Sequence, residues 1–239
     1  MLDVDPLATL SQACVLLLII GLLYRLVSWL LAPRSRGGLT GGSSSWPRAL
    51  YWAFLDLVLM RKALKADFYR GLAAWLMHIL VLVLLLGHAR AFGAWSSEAV
   101  PEPLRPMFIE VAPAVLGWLL FACLVFLLAR RLSSKLARSL FTLHDAALYA
   151  LLLTAVFAGN LMRLLPSSHE PFTWSPLTGL ELRLEHTPNP AVFTVHVAAV
   201  SLLVAYLPFS PLIHVVAGVA SSLSYYRWRL LVESSRREG

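Results

Sequence analysis

The sequence has few of the residues that enzymes use to transform a substrate. Only two of its 239 residues are cysteine, Cys14 and Cys123, and both lie far apart in apolar runs. This spacing offers neither a disulfide framework nor a set of metal ligands. A glycine-rich nucleotide loop, paired carboxylates within an apolar run and a basic, aromatic-interleaved face for nucleic acid are also missing from the sequence. The chain by itself therefore offers no candidate for terminal-substrate chemistry.

Apolar residues are abundant instead. They make up 59% of the chain, and the mean hydropathy is +0.72, whereas soluble domains are roughly 45–50% apolar. About 20 apolar residues cross a membrane, and five stretches are predicted to do so: Leu7–Leu31, Ala73–Phe92, Ala112–Ala129, Ala146–Leu165 and Ala191–Ser222. Pro208 and Pro211 should kink the last one. We therefore expect an all-α membrane protein, with residues 1–239 forming one domain of five transmembrane helices.

Basic residues predict the orientation of these helices. Seven lie in the loop 32–70, four after the third span and four in the tail, against four on the opposite side. By the positive-inside rule the N-terminus is outside and the C-terminus cytoplasmic. We expect the membrane to be a prokaryotic inner membrane. The first half of loop 32–70 is Gly/Ser-rich and should be flexible. Its apolar segment Ala49–Met60 is too short to span, so we expect it in the interface or against the bundle.

Two of the apolar stretches carry two histidines each: His78 and His88 in the second, His196 and His214 in the fifth. An ionisable residue at membrane depth is costly and usually functional. Because the two helices run antiparallel, His88 and His196 should lie at a similar depth near the outer side of the membrane. His78 and His214 should likewise lie at a similar depth near the inner side. Facing helices commonly hold cofactors in this way. The pattern predicts two haem b groups with histidine pairs as iron ligands, and no CxxCH motif is present for covalent attachment.

Other roles for these histidines remain open at this stage. Helical periodicity places His196 and His214 on one face of a continuous helix but leaves His78 and His88 about 80° apart. Each could instead form an interhelical hydrogen bond or line a wet cavity. A proton-relay transporter is disfavoured because the spans lack a partner Asp or Glu. The remaining histidines are expected at the inner interface (His144) and solvated in the predicted outer loop 166–189 (His169, His186).

The chain resembles the gamma subunit of respiratory nitrate reductase. The resemblance rests on the five-span topology, on the two histidine spacings and on Pro208-Phe209-Ser210 shortly before the last histidine. Gly87-His88 is similar to the Gly-His of that family's outer haem. The same superfamily includes the membrane cytochrome b subunits of sulfite-reductase-linked and heterodisulfide-reductase-like complexes. Their second span resembles Gly71–His78 and His88–Phe92, so the soluble partner is not identified.

The resemblance implies a subunit of a respiratory complex that exchanges electrons between membrane quinol or quinone and an iron–sulfur partner subunit. Quinone would react near the outer haem (His88, His196), and the partner, part of a larger reductase complex on the cytoplasmic side, would receive electrons from the inner haem (His78, His214). Either direction of flow is compatible with the sequence. The alternative is a haem-free membrane anchor for a soluble redox enzyme.

The resemblance also suggests residues around the outer haem. The family's quinone pocket includes the glycine before the outer ligand, here Gly87 beside His88, and a lysine in the following loop. In this chain Arg105 is the only basic residue between Gly93 and Glu110, so we expect Arg105 in that role. Arg90 is expected to bind a haem propionate or to extend to the interface.

Overall fold

The computed structural model describes residues 4–31, 46–165 and 168–238. The first half of loop 32–70 is predicted to be flexible from its glycines and serines. As far as residue 45, it lies outside the described residues. The described residues form nine α-helices: α1 Val4–Leu31, α2 Trp46–Leu59, α3 Arg61–Ala66, α4 Phe68–Ala89, α5 Ala112–Ser133, α6 Lys135–Ser139, α7 Leu143–Leu164, α8 Pro190–Tyr206 and α9 His214–Glu238.

Five of the described helical segments are long and apolar enough to cross a membrane. They are Pro6–Leu31, Phe68–Ala89, Glu102–Ser133, Leu143–Leu164 and Pro190–Phe209. The prediction of an all-α protein with five membrane-spanning helices is therefore confirmed.

The third span begins earlier than the sequence suggested. The segment Gly93–Glu110 was expected to be a loop, yet it contains two 3-10 turns and a π-helical turn, Pro106–Val111, that continues directly into α5. Prolines such as Pro106 fit the first helical positions because their missing N–H is not needed there. The three prolines of this segment therefore start helical turns as well as interrupt them.

The predicted fifth span, Ala191–Ser222, is interrupted by a break in the helix and not only kinked. Helix α8 ends at Tyr206, two 3-10 turns follow (Leu207–Phe209 and Pro211–Ile213), and α9 starts at His214. Pro208 and Pro211 each lack the N–H that an α-helical hydrogen bond would need. Since the helix is interrupted, the periodicity that placed His196 and His214 on one helical face does not apply.

Backbone contacts divide the chain into two units. The first comprises Met1–Ile19 and Ala73–Tyr206, and the second comprises Ile20–Leu72 and Leu207–Gly239. In the first unit, α7 packs against both α5 and α8. Its core contains Leu80 of α4 and Leu120, Cys123 and Leu124 of α5.

A β-hairpin caps part of the first unit. Strands β1, Phe172–Leu177, and β2, Leu180–Leu184, pair antiparallel through a turn in which Gly179 has φ 81°. Trp174 of β1 is buried against Leu7 of α1 and Phe193 of α8. The sequence predicted only an outside loop here, so the hairpin is an addition to the expected fold.

The second unit contains the short apolar segment before α4. Helix α2 packs against α9, with Ala49 and Ala53 buried against Tyr226. The αL conformation of Met60 (φ 44°) then turns the chain into α3. The segment expected at the interface or against the bundle is thus a helix that packs on α9 within this unit.

Candidate functional site

The structure brings His88 of α4 close to His196 of α8 within the first unit. Their ring centroids are 6.3 Å apart, and the ring planes are nearly parallel, at 19°. Depth and antiparallel orientation predicted this juxtaposition from sequence. Helix α8 is held to α7 by extensive packing, so α7 determines where the His196 ring can lie.

A backbone carbonyl fixes the imidazole of each of the four histidines. Nδ1 of His78 lies 2.6 Å from the carbonyl oxygen of Ala74, and Nδ1 of His88 lies 2.7 Å from that of Leu84. The corresponding distances are 2.8 Å from His196 to Ala155 and 2.8 Å from His214 to Pro211. Since a carbonyl can only accept, Nδ1 carries the proton and Nε2 carries the lone pair. This is the tautomer that a metal-binding histidine needs, with its second nitrogen held by a carbonyl.

The His196 ring packs against α7 at Gly159. A Cβ at Gly159 would lie 3.1 Å from Cε1 and 3.2 Å from Nδ1 of His196. One turn earlier on α7, Ala155 supplies the carbonyl that accepts from this imidazole. Ala155 and Gly159 therefore form a shallow seat that fixes both the position and the tautomer of His196. By contrast, a Cβ at Gly87, next to His88, would have no heavy atom within 4 Å.

The His88–His196 pair fits the axial ligands of a haem. Metal–imidazole nitrogen bonds of about 2 Å on both sides of one ion place the two ring centroids roughly 6 Å apart. The observed separation is 6.3 Å. An ion held by protein side chains alone usually needs three or four ligands, and within the described residues no group of three or more His, Cys, Asp or Glu occurs. A haem needs only two from the protein, so a two-histidine site suits it.

His78 belongs to the first unit and His214 to the second. His78 lies on α4 with its imidazole bonded to the preceding turn. His214 is the first residue of α9, directly after the helix break. The pairing of these two histidines at an inner haem stays a prediction.

Polar groups stabilise the break before His214. Ser210 is buried, its backbone N–H bonds to the Leu207 carbonyl, and its hydroxyl accepts from the Leu212 N–H. The Arg25 side chain donates its Nε–H to the Pro208 carbonyl at 2.9 Å. Gly21, one turn before Arg25, lets Pro208 approach, since a Cβ there would lie 2.7 Å from Pro208 Cβ. The Pro-Phe-Ser element is therefore a hydrogen-bonded break that fixes the start of α9.

The structure places the two arginines predicted near the outer haem in different surroundings. Arg90 forms an ion pair with Glu185 at 3.0 Å and lies 6.0 Å from the ring centroid of Trp95. Arg105 donates its Nε–H to the Val100 carbonyl in its own loop. Among the described residues, no hydrogen bond joins Arg105 to Gly87 or His88, so its role at a quinone site stays a prediction.

Two residues of α7 that the sequence did not single out have notable surroundings in the structure, one of them near this site. Arg163 lies one turn after Gly159, near Arg90 and His196. Asn160 is buried beside Gly117 of α5, and its Nδ2 has no partner within the described residues. These residues can be identified only from the fold. An arginine at the end of a membrane helix and an asparagine within one can each have many roles, so the sequence alone does not single them out.

The other histidines lie elsewhere. Nδ1 of His144 and Oη of Tyr206 share a hydrogen bond of 2.5 Å, and the two rings are stacked. His169 and His186 are exposed, with ring centroids 5.7 Å apart next to the bridge between Ser168 and Thr187. The hairpin brings this pair together, which the sequence did not predict.

Comparison with known proteins agrees with these observations. The family model described as nitrate reductase gamma subunit matches residues 69–235, well over half of the chain. The match includes all four histidines and begins after α2 and α3. No curated protein and no solved structure matches the chain. The chain therefore belongs to the nitrate reductase gamma subunit family, a family of membrane cytochrome b electron-transfer subunits.

Proposed function

We propose that this chain is a dihaem b-type cytochrome of a respiratory complex, exchanging electrons between membrane quinone and an iron–sulfur partner subunit. His88 and His196 would hold the outer haem iron, and His78 and His214 the inner one. Bound between two imidazoles, haem b supplies a one-electron iron couple with no open coordination position. The quinone would react beside the outer pair, and the partner would dock near the inner pair on the cytoplasmic side.

The distance between His88 and His196 carries the proposal. Two imidazoles from helices far apart in sequence lie at the 6.3 Å separation that bis-histidine ligation requires. The Nδ1-to-carbonyl bonds of His88 and His196 support it further, because they put the proton on Nδ1 and the lone pair on Nε2, the atom that would bind a metal.

The polypeptide positions its ligands and supplies charge. The Ala155 carbonyl and Gly159 hold the His196 ring, and the Leu84 carbonyl holds that of His88. Arg90 and Arg163 provide positive charge at this end of the first unit, which suits haem carboxylates. Arg163 makes no ion pair among the described residues, so it is the better candidate of the two, since Arg90 is already paired with Glu185.

For the quinone, we propose the surroundings of Gly87, His88 and Arg105. The space open beside Gly87 supports this location. Quinone chemistry exchanges protons as well as electrons, and these protons would pass to or from water, because a guanidinium stays protonated. Arg105 at the start of the third helical segment would orient the quinone through a carbonyl oxygen.

A haem-free anchor for a soluble enzyme is the alternative function. In that case the four histidines would be structural, as His196 is in part through its bond to α7. Haem content separates the two functions directly, because the anchor would fold and assemble without it.

The deciding experiment is haem quantification with a reduced-minus-oxidised spectrum on the purified full chain. The wild type should bind two haems, and His88→Ala and His196→Ala should each leave one. His78→Ala and His214→Ala should also each leave one, with a spectrum that differs from that of the outer variants. This pattern would establish both pairs.

The matched controls are His144→Ala and His169→Ala, which remove an imidazole outside the proposed pairs. Both should keep two haems. A wild type without haem, despite adequate haem supply during expression, would contradict the proposal and favour the anchor. Equal losses in the control variants would show that histidine removal perturbs the fold and not a ligand.

A further inference from the structure

Helices α2, α3 and α9 of the second unit line an open cavity of about 680 Å³. Its volume falls in the range of about 300–1,000 Å³ that is usual for small-molecule sites. Two of its three walls, α2 and α3, lie before the segment that the family model matches. The proposed electron-transfer function does not use this cavity.

Cations are in excess around the cavity. Its lining includes four basic side chains, those of Arg48, Arg61, Lys65 and Arg229, and only two carboxylates. One of these carboxylates, Glu233, is already paired with Arg229 at 2.9 Å. Neither Arg48 nor Lys65 forms an ion pair with any described residue. Positive charge is therefore left over for an anionic ligand.

The floor of the cavity is aromatic. Trp52, Tyr225 and Tyr226 line it together with Leu230, and Arg61 lies 6.0 Å from the ring centroid of Trp52. A ligand that fits this lining has an anionic group for the cations and an apolar part for the rings. Guanidinium groups bind phosphate oxygens through paired hydrogen bonds, which favours phosphate as the anionic group.

Helix α2 presents different chemistry on its different faces. Arg48 and Trp52, one turn apart, line the cavity, and Ala49 and Ala53 pack on α9. A third face is apolar and exposed, with Leu50 at 53% and Phe54 at 63% of full exposure. Such a helix is typical of the membrane interface, where its apolar face enters the lipid. The cavity thus lies beside a surface suited to acyl chains.

We propose that this cavity binds the phosphate headgroup of an anionic phospholipid. Arg48 and Lys65 contact the phosphate, the aromatic floor contacts the glycerol and upper acyl chains, and the exposed face of α2 packs against the tails. A free phosphate compound shares the headgroup chemistry, but it has no use for the apolar face of α2. Lys65 reaches the cavity because the left-handed Met60 turns α3 away from the axis of α2.

The test uses the full chain purified in detergent and mixed with phosphatidylglycerol or phosphatidylcholine, with bound lipid counted by native mass spectrometry. The wild type should retain phosphatidylglycerol at least about tenfold better than phosphatidylcholine. The double variant Arg48→Gln/Lys65→Gln should lose this preference. The control variant Arg130→Gln/Arg138→Gln removes two cations from α5 and α6, outside the cavity, and should stay within about twofold of the wild type.

Three results would overturn the proposal. They are a wild type without preference for phosphatidylglycerol, a control variant that loses as much as the cavity variant, and displacement of the lipid by inorganic phosphate at equal concentration. The last result would assign the cavity to a soluble phosphate compound. Unfolding temperature and haem content, measured on all variants, separate loss of lipid from loss of fold.

Discussion

Gly159 has no side chain, and this allows the ring of His196 to pack directly against α7. The His196 ring occupies the space that a Cβ at this position would need, and it bonds to the carbonyl one turn earlier. Glycine is common in membrane helices because it lets helices approach closely. Here it leaves room for the His196 imidazole, so the residue at this position of α7 affects where a side chain of α8 can lie.

Replacing Gly159 with alanine should therefore weaken the proposed outer site. The new methyl group would lie 3.1 Å from His196 Cε1, and overpacking of this kind costs about 1–3 kcal/mol. We expect Gly159→Ala to lower the occupancy of one haem out of two, or to shift its reduction potential, in a redox titration. Gly218→Ala is the control, because a Cβ there has no heavy atom within 4 Å. Identical titrations for both variants would contradict the prediction.

The break between α8 and α9 is stabilised by a different helix. Arg25 of α1 donates to the Pro208 carbonyl within the break, and Gly21 allows the close approach. His214 follows directly. The arrangement of α1 therefore determines where α9 can begin.

We expect Arg25→Met to destabilise this break, because it leaves a partly buried carbonyl without its donor. The cost of such an orphaned acceptor is about 1–3 kcal/mol. Thermal unfolding should show the loss, and redox titration should show a change confined to the haem proposed at His78 and His214. Arg138→Met, at an exposed position of α6, removes the same charge without a carbonyl partner and should have little effect. A change in both haems would contradict this assignment.

The hairpin depends on Trp174. Its ring is 6% exposed and lies 5.5 Å from the Phe193 ring, at 83°. Trp174→Ala should destabilise the first unit by about 3–5 kcal/mol and make the hairpin sensitive to protease at its turn. Thr173→Ala, on the exposed side of the same strand, should leave both properties unchanged. Equal protease sensitivity of the two variants would show that the hairpin does not depend on this core.

The sequence predicted elements well where a long local pattern exists. Runs of about 20 apolar residues identify spans directly, and the depth of His88 and His196 on antiparallel helices predicted their proximity. The helix break was underestimated because its stability depends on Arg25, nearly two hundred residues away. The hairpin was missed because Pro176 is unusual within a strand, and because its burial depends on Leu7 of α1. The seat at Ala155 and Gly159 has no sequence signal of its own.

The orientation of the whole chain follows from its basic residues. With the N-terminus outside, the hairpin turn would lie outside and the C-terminal end of α9 in the cytoplasm. This orientation is a prediction, as is the docking of a partner on the cytoplasmic side. The native cysteines, Cys14 and Cys123, are both buried, so they should not interfere with labelling at introduced cysteines.

Thiol labelling of intact cells can test this orientation. A membrane-impermeant reagent should label Thr178→Cys, in the hairpin turn, without permeabilisation. It should label Glu233→Cys, on α9, only after the membrane is opened. The unsubstituted chain is the control and should remain unlabelled. The reverse pattern would contradict the predicted orientation, and with it the assignment of inner and outer histidine pairs.

The carbonyl bonds to the four imidazoles have a thermodynamic consequence for the binding of any metal group. An imidazole tethered at Nδ1 cannot rotate freely about its Cβ–Cγ bond. Each ring is therefore held in one orientation before a ligand arrives. In binding thermodynamics such a side chain is preorganised, so little of its rotational entropy remains to be lost on binding.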